Sequence, residues 1–251
     1  MMTATKYAVV TGASSGIGAA TAHALASDGF HVIAAARRVD RLQDVAALHA
    51  NIEICELDVT DQESVDSFAT KLQGKPLTVL VNNAGGSFDG DLLLDSDIES
   101  WKKTFDVNVL GSVRVTKALV PLLRKNTPSI IVVVTSTAGH VTYETGGSYT
   151  AAKHAEKAMV QTLRLELNGE AIRVTEIAPG MVKTEEFAVN RFAGDVAKAA
   201  KIYEGVDEPL TAKDVAEAIR WSISLPSHFN VDSMVIRPLA QAAQHKVHRT
   251  K

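Results

Sequence analysis

Tyr149 and Lys153 lie four residues apart in the chain, and Ser136 precedes Tyr149 by thirteen residues. Residues four apart on a helix share one face, so the lysine ammonium is expected beside the phenol. A positive charge there favours the phenolate and lowers the pKa of a tyrosine from its usual value of about 10. Such a tyrosine can donate or accept a proton near neutral pH, and Ser136 can hydrogen-bond the reacting oxygen. The spacing alone is weak evidence, and it gains weight only if the chain also holds a cofactor site.

A glycine-rich segment near the N-terminus has the context of a dinucleotide site. The apolar run 6–11 predicts a buried strand, and the alanine-rich stretch after Gly18 predicts a helix. Between them, Gly12 allows a tight turn, Gly16 leaves room for backbone near a pyrophosphate, and Gly18 lets helix and strand pack closely. The helix N-terminus offers N–H groups and a positive dipole end to phosphates. The spacing is Gly-x-x-x-Gly-x-Gly rather than Gly-x-Gly-x-x-Gly, and an ordinary turn is the alternative.

The motifs of this chain resemble those of the short-chain dehydrogenase/reductase family along nearly the whole sequence. Asn82-Asn83-Ala84-Gly85 follows an apolar run, Asn108 lies within a predicted helix, and Pro179-Gly180 follows a late predicted strand. The resemblance implies an oxidoreductase with four catalytic residues, namely Asn108, Ser136, Tyr149 and Lys153. Since all four are present, the alternative of a family member that has lost its chemistry is disfavoured.

The resemblance also implies how these residues act. Tyr149 would take the hydroxyl proton as a hydride passes to the nicotinamide, and Lys153 would bond the nicotinamide ribose. Ser136 would hold the substrate oxygen, and the backbone carbonyl of Asn108 would hold a water that extends a proton relay through Lys153. The residues expected around the cofactor are Gly12, Ser14, Ser15, Gly16, Ile17, Gly18, Arg37, Arg38, Asp58, Val59, Asn83, Ala84, Gly85, Tyr149, Lys153, Pro179, Gly180, Val182 and Thr184.

The end of the second predicted strand favours NADP over NAD. An acidic residue there would bond the ribose hydroxyls and repel a 2′-phosphate, but this chain has Ala36 followed by Arg37 and Arg38. A guanidinium offers a planar charged fork to phosphate and can stack on adenine. The alternative is a solvated arginine pair opening a helix, although arginine there opposes the helix dipole. Arg37 is the first candidate for the phosphate contact and Arg38 the second.

Strands and helices alternate along the chain. This alternation predicts an α/β class, and the resemblance implies a Rossmann fold with a doubly wound, parallel seven-stranded sheet and helices on both faces. The predicted strands are 6–11, 31–35, 52–57, 77–82, 129–135, 172–178 and 232–236. The predicted helices are 16–28, 38–49, 61–73, 97–124, 148–168 and 211–224. No repeat, low-complexity tract or linker divides the sequence, so residues 1–251 are expected to form one domain.

Residues 181–249 include Leu225-Pro226-Ser227-His228 and His248-Arg249, and with these motifs they resemble the NADP-dependent 3-hydroxy acid dehydrogenases of this family. Residues 183–208 break the alternation beyond the carboxyl end of a strand, where open sheets bind ligands, and look like the family's mobile substrate loop. The resemblance implies a substrate such as serine, allo-threonine, 3-hydroxypropionate or 3-hydroxyisobutyrate, whose carboxylate needs a donor. Arg191 is the candidate donor, and a surface arginine on a mobile loop is the alternative. Glu144 departs from the subfamily and could bind a substrate ammonium or face water.

Composition excludes several other classes. A hydrophobic content of 46% with 22% charged residues is typical of a soluble globular protein, and a net charge of −3 argues against nucleic acid as the main partner. No apolar run approaches the ~20 residues of a membrane helix, and Met1–Thr5 lacks the features of a signal peptide. The single cysteine, Cys55, is expected to be a buried reduced thiol, which points to the cytoplasm. The eight histidines are scattered, and no metal site is expected.

The resemblance further implies a homotetramer, or a homodimer, whose contact uses the helices 97–124 and 148–168. The C-terminal tail, 238–251, ends in a basic stretch at 244–251, which is either a frayed end or part of a subunit interface. Two other functions stay open. One is a broader NADPH-dependent carbonyl or 3-oxoacyl reductase, and the other is a cofactor-binding sensor without turnover.

Overall fold

The computed structural model of the chain describes residues 6–250. Met1–Thr5, for which no signal peptide is expected, and Lys251, the last residue of the predicted tail, lie outside the described residues. The strands are β1 (Tyr7–Thr11), β2 (His31–Ala36), β3 (Ile52–Glu56), β4 (Leu77–Asn82), β5 (Ser129–Val134), β6 (Ile172–Pro179), β7 (Val182–Lys183), β8 (Leu210–Thr211), β9 (Ser233–Ile236), β10 (Gln241–Ala243) and β11 (Lys246–Val247).

The helices occupy the connections between these strands. They are α1 (Gly16–Ser27), α2 (Val39–Ala47), α3 (Gln62–Lys71), α4 (Ile98–Phe105), α5 (Gly111–Lys125), α6 (Gly147–Glu166), α7 (Phe187–Arg191), α8 (Val196–Lys201) and α9 (Ala212–Ser224). A π-helical turn, Asp106–Leu110, joins α4 to α5, and a 3₁₀ turn, Thr137–Gly139, follows β5. Among residues 6–250, no helix combines the length and apolar composition that crossing a membrane requires.

Seven strands form one parallel sheet in the order β3-β2-β1-β4-β5-β6-β9. This confirms the predicted α/β class and the doubly wound parallel sheet. The chain runs outward from β1 to β3 and then crosses to the other side of β1 with β4. The carboxyl ends of β1 and β4 therefore lie at the switch point of the sheet, where ligands bind in folds of this type.

Each face of the sheet carries its own apolar core, because successive side chains of a strand point to opposite faces. Ala8 and Val10 of β1 pack with Leu25 of α1, Leu42 of α2 and Ile219 of α9. On the other face, Val9 packs with Phe68 of α3, Leu119 of α5 and Val160 of α6. With both faces covered, the strands are apolar along their whole length, and β5 is buried at all six positions.

Two predicted segments differ in detail from the structure. The predicted single helix 97–124 is interrupted by the π-helical turn, which centres on Asn108. A π turn inside a helix is commonly found at a functional site, and here the Asn108 side chain bonds groups outside the helix. The predicted loop 183–208 is not irregular throughout, since it contains α7 and α8, and β7 pairs with β8 on its far side.

Candidate active site

A cleft of about 480 Å³ opens at the carboxyl ends of β1, β4, β5 and β6. Its walls bring together segments that lie far apart in the chain. The glycine-rich turn forms one end, Tyr149 and Lys153 of α6 form another side, and α7 covers the cleft with Arg191. The described structure therefore places Ser136, Tyr149, Lys153 and the glycine-rich turn around one space, while Asn108 and Gly18 lie outside its lining.

The glycine-rich turn is shaped by close backbone contacts that only glycine allows. Gly12 has a φ of +64°, and a Cβ there would lie 2.8 Å from the Cα of Ala84. The Asn83 side chain donates to the carbonyl of Thr11 over 2.9 Å, which ties the turn to the segment after β4. No side chain among residues 6–250 caps the first N–H groups of α1, and Ser15 at the N-cap has extended backbone. These N–H groups therefore remain available to an anion.

Tyr149 is buried near the base of the cleft, with Ser136 and Phe187 close to it. Its ring meets the edge of Phe187 at a centroid distance of 5.3 Å. The hydroxyl of Ser136 accepts from the N–H of Ala138 over 3.1 Å and lies 3.4 Å from the carbonyl oxygen of Pro179. These contacts hold the Ser136 hydroxyl at the N-terminal end of the 3₁₀ turn, where it lines the same cleft as Tyr149.

Lys153 lies one turn after Tyr149 on α6 but does not point only at the phenol. Its Nζ lies 5.8 Å from the centre of the Tyr149 ring, whereas it lies 2.6 Å from a carboxylate oxygen of Glu156. Nζ also donates to the carbonyl of Val134 over 3.1 Å. The predicted shared face of the helix is therefore observed, but a buried carboxylate competes with Tyr149 for the ammonium.

The expected lowering of the tyrosine pKa is wrong for this state of the site. Burial raises the pKa of Tyr149 above its ordinary value, and the charge of Glu156 raises it further, while Ser136 and Arg191 oppose the shift. The prediction rested on a lysine with a free charge. In the structure that charge is shared with Glu156, and the desolvation of the phenol dominates.

Asn108 fixes the π-helical turn to the Asn-Asn-Ala-Gly segment. Its amide Nδ2 donates to the carbonyls of Gly86, over 2.8 Å, and Thr104, over 2.7 Å, and its Oδ1 accepts from the N–H of Gly86. A Cβ on Gly85 would lie 2.5 Å from Oδ1, so glycine is required there. The side chain of Asn108 is thus structural, which leaves its backbone carbonyl for the predicted relay.

Arg38 is the arginine that reaches the glycine-rich turn. Its guanidinium donates to the hydroxyls of Ser14, over 3.0 Å, and Ser15, over 3.2 Å. It also forms a two-point ion pair with Glu186, with N–O distances of 2.7 and 2.8 Å. Ser15 donates to the same carboxylate over 3.0 Å. A cationic group with hydroxyl neighbours therefore lies beside the turn.

Arg37, ranked first from the sequence, lies outside the lining of the cleft, and so do Arg38, Ser14, Asp58 and Val59. Arg37 is exposed, and its charge acts on Asp58. Partial burial opposes the shift, but hydrogen bonds from Thr60 and the charges of Arg37 and Arg114 lower the pKa of Asp58. Val59 is buried against Gly111 at the start of α5.

Arg191 lies in α7 and is held over the cleft by residues of the segment before α6. Its Nη2 donates to the backbone and side-chain oxygens of Thr145 over 2.8 and 3.1 Å, and Nη1 donates to the Tyr143 hydroxyl over 3.2 Å. Its Nε is buried and has no hydrogen-bond partner among the described residues. Glu144, the other candidate substrate contact, is exposed and lies outside the lining of the cleft.

The C-terminal segment completes the wall of the cleft beside Pro179 and Gly180. The Gln241 side chain accepts from the N–H of Met181 over 2.8 Å, and Gln244 accepts from the Thr137 hydroxyl over 2.9 Å. Arg249 and Thr250 bond the backbone near residues 202–205. Residues 241–250 therefore pack against their own chain rather than fray. Val182 and Thr184, which the resemblance places near the cofactor, also line the cleft.

His, Cys, Asp and Glu side chains can bind a metal where they lie close enough together. Within residues 6–250, no group of three or more His, Cys, Asp or Glu side chains could share a metal ion. Cys55 is a free thiol that is only partly buried, and that burial raises the pKa of the thiol.

Sequence reasoning missed several residues of the site. Glu156 was readable in principle, because a residue three positions after Lys153 lies on the same helix face. Glu186, Gln241 and Gln244 gave no local signal, since their positions depend on contacts between distant segments.

Comparisons with known proteins agree with this geometry. Residues 6–192 match the family described as short chain dehydrogenase. The chain is 49% identical over 238 residues to an uncharacterized oxidoreductase of Mycobacterium tuberculosis, covering 95% of this chain and 93% of that protein. It is 35% identical over 246 residues to an NADP-dependent 3-hydroxy acid dehydrogenase of Salmonella typhi, covering 96% of this chain and 99% of that protein.

Solved structures give the same result. The closed form of a serine dehydrogenase complexed with NADP⁺ matches with a TM-score of 0.91 at 34% identity, covering 97% of this chain and 100% of that chain. This likeness over nearly the full length confirms the predicted Rossmann fold.

Proposed function

This chain belongs to the short chain dehydrogenase family and is an oxidoreductase, and from that premise we propose that it transfers a hydride between NADP(H) and a small 3-hydroxy acid. The reacting carbon would be the carbinol carbon, or the carbonyl carbon in the reverse direction. The observation that carries the proposal is the single cleft that joins the glycine-rich turn to Tyr149, Ser136 and Arg191.

The residues around the turn fit a phosphorylated dinucleotide. The close approach of Gly12 to Ala84 leaves backbone, not side chain, facing the cleft, and α1 begins there without a capping side chain among the described residues. Arg38 beside Ser14 and Ser15 offers a planar cation and hydroxyls suited to a 2′-phosphate. The likeness to NADP-dependent proteins over nearly the whole chain supports this choice.

The chain's own groups would carry the proton chemistry. When bound, NADP⁺ accepts a hydride from the carbinol carbon, and NADPH returns it. Tyr149 would take the hydroxyl proton in oxidation and give it back in reduction, while Ser136 holds the substrate oxygen as charge develops on it. Lys153 would orient the nicotinamide ribose, and the backbone carbonyl of Asn108 would extend the proton path towards water.

The proposed substrate class rests on Arg191. Its guanidinium is aligned by Tyr143 and Thr145, and its buried Nε lacks a partner within residues 6–250. A buried N–H that lacks a partner costs free energy, which a ligand oxygen can recover. A carboxylate on the substrate would supply that acceptor while its hydroxyl reaches Tyr149. Serine, allo-threonine, 3-hydroxypropionate and 3-hydroxyisobutyrate share this arrangement of groups.

We propose that the protein forms a homotetramer or homodimer in the cytoplasm. Phe105, Leu110 and Leu165 are exposed on α4, the π-helical turn and α6, the segments expected to form the contact. The reducing conditions of the cytosol keep protein thiols reduced, and Cys55 is a free thiol.

The test is turnover by the purified protein with NADP⁺ and a panel of alcohols. The panel contains L-serine, allo-threonine, 3-hydroxypropionate, 3-hydroxyisobutyrate and a plain secondary alcohol, and NADPH absorbance is followed. We expect turnover of one or more of the acids, and a loss of about 10²- to 10⁴-fold in kcat in Tyr149→Phe with NADPH binding retained.

The outcomes separate the candidate functions. Turnover of the plain alcohol alone would contradict the carboxylate argument and place the protein among the broader carbonyl reductases. NADPH binding without turnover on any carbonyl or alcohol would instead support a sensor. Full activity in Tyr149→Phe would contradict the assigned role of the tyrosine.

A further inference from the structure

A second charged residue lies next to the catalytic pair, inside the protein. Glu156 follows Lys153 by three positions on α6, and the two residues are only 1% and 4% exposed. One carboxylate oxygen of Glu156 lies 2.6 Å from Lys153 Nζ, and the other accepts from the Ser112 hydroxyl over 3.2 Å. Both oxygens of this carboxylate are therefore engaged at a site with almost no solvent access.

A second buried carboxylate lies behind the first. Glu176 of β6 is 2% exposed and bonds the Thr135 hydroxyl over 2.7 Å and His140 over 3.2 Å. The other ring nitrogen of His140 lies 3.0 Å from Lys157 Nζ, which reaches the surface of α6. The charged or titratable groups that face Glu156 are thus Tyr149 and Lys153 on its own helix and Glu176 on β6, with His140 and Lys157 beyond.

Glu156 acts on Tyr149 in two ways, and both raise the pKa of the phenol. Burial raises the pKa of the Glu156 carboxyl, but the charge and hydrogen bond of Lys153 and the Ser112 hydroxyl favour its ionised form. That carboxylate raises the pKa of Tyr149. It also draws the Lys153 ammonium away from the ring, which removes a charge that would favour the phenolate. Burial of such a pair requires close partners, and the Ser112 hydroxyl provides one.

We propose that Glu156 is a positioning residue that holds Lys153 and keeps Tyr149 in its neutral, proton-donating form up to higher pH. The proposal rests on the catalytic role assigned to Tyr149. It goes beyond that role because it assigns the protonation range of the tyrosine to a carboxylate that touches neither substrate nor cofactor. Removal of the charge should make Tyr149 ionise at lower pH.

The experiment replaces Glu156 with Gln and follows the ionisation of Tyr149 in the NADP⁺-bound protein. A glutamine can still accept from Lys153 and donate to Ser112, so the packing is kept while the charge is lost. Phenolate absorbance is titrated in each protein with and without Tyr149→Phe, and the difference isolates Tyr149. We expect its ionisation to move down by about one pH unit or more in Glu156→Gln. The break in the kcat/KM profile for oxidation of 3-hydroxypropionate should move with it.

Three variants make the result specific. Glu166→Gln removes a charge from an exposed position of the same helix and should leave the titration unchanged. Glu156→Asp keeps the charge and should leave the ionisation of Tyr149 close to that of the unaltered protein. Glu156→Met has similar length and no charge, so it carries the same expectation as Gln if the Gln variant does not fold.

Failure of the Glu156 proposal can be distinguished from failure of the proposed function. An unchanged titration in a folded, NADP⁺-binding Glu156→Gln or Met variant would overturn the proposal, as would an equal shift in Glu166→Gln. The titration needs no turnover, so it stands whichever substrate the panel identifies. Activity retained in Tyr149→Phe would overturn the assigned role of Tyr149 instead.

Discussion

Arg191 is a side chain whose position depends on neighbours that do no chemistry themselves. Thr145 has a φ of +62° and presents both its carbonyl and its hydroxyl to the guanidinium. Tyr143 adds its hydroxyl, with its ring centre 5.3 Å from the Arg191 carbon Cζ. A guanidinium fixed on two of its nitrogens loses little further freedom when it binds a ligand. This pre-organisation makes Arg191 suited to reading a carboxylate.

Replacing Arg191 with Gln should therefore raise KM for the acid substrate about 10- to 100-fold, since hydrogen bonds to charged groups are worth about 1.5–3 kcal/mol. Steady-state kinetics on the acid and on a plain secondary alcohol measure the effect, and the alcohol should change little. Lys198→Gln, which removes an exposed cation from the next helix, is the matched control. Equal losses on acid and alcohol would show that Arg191 acts through folding of the segment and not through the carboxylate.

The segment that carries α7 is also tied to the glycine-rich turn, through Glu186. The hydrogen bonds from Arg38 lower the pKa of Glu186, so the carboxylate stays charged across the neutral range. Arg41 approaches the same carboxylate at 3.5 Å. The Glu186 carboxylate is thus ion-paired with the same Arg38 guanidinium that is proposed to bind the 2′-phosphate. Phosphate and carboxylate would compete for Arg38.

Removing this competitor in Glu186→Gln should tighten NADPH binding by up to about fivefold, because an exposed ion pair is worth up to ~1 kcal/mol. Fluorescence titration with NADPH measures the affinity, and NADH serves as a ligand without the 2′-phosphate, for which the gain should be smaller. Glu185→Gln, at the preceding and more exposed position, is the control. Weaker NADPH binding in Glu186→Gln would show that the carboxylate supports the phosphate site and does not compete for it.

At the scale of the whole molecule, the segments expected to form the subunit contact carry exposed apolar side chains. Phe105, Leu110 and Leu165 keep 41%, 40% and 78% of their surface exposed on α4, the π-helical turn and α6. Asn108 lies on the same π-helical turn and Tyr149 on α6, so a contact between subunits through these segments would support the site from behind. Contiguous exposed apolar surface marks association sites, and these three side chains are the ones to test.

A Phe105→Glu/Leu165→Glu double variant should therefore lower the molecular mass measured by light scattering in solution, because buried carboxylates would oppose association. Leu48→Glu introduces the same charge at an equally exposed leucine after α2, and its mass should stay that of the unaltered protein. A double variant that keeps its full mass would exclude this face as the contact.

The strands and the chemistry of the site were predictable to different degrees. The order of the elements followed from local patterns, because a buried parallel strand such as β5 is a short run of β-branched residues. The Tyr149–Lys153 spacing also carried over, since helix geometry is local. The π-helical turn did not, because it depends on hydrogen bonds from Asn108 to a segment more than twenty residues away.

Electrostatics was the least predictable part. The sign of the Tyr149 pKa shift depends on how deeply α6 is buried and on where Lys153 points, and neither can be read from the spacing of two residues. The preference for Arg37 over Arg38 stays a prediction. The contacts of Arg38 with Ser14 and with Glu186, almost 150 positions away in the chain, could not be read from the local sequence.

The hydrogen bonds between Thr11 and Asn83 also bear on how the protein persists in the cell. The Thr11 hydroxyl accepts from the N–H groups of Asn83 and Ala84, both over 3.0 Å, so the dinucleotide turn takes its shape only when two segments about seventy residues apart have met. A ligand of that turn binds the native chain and not the unfolded one. At a hundred times its Kd it adds about 2.7 kcal/mol to stability. The amount of folded protein would then depend on the size of the dinucleotide pool, and a cell depleted of NADP(H) would hold a less stable enzyme as well as less cofactor.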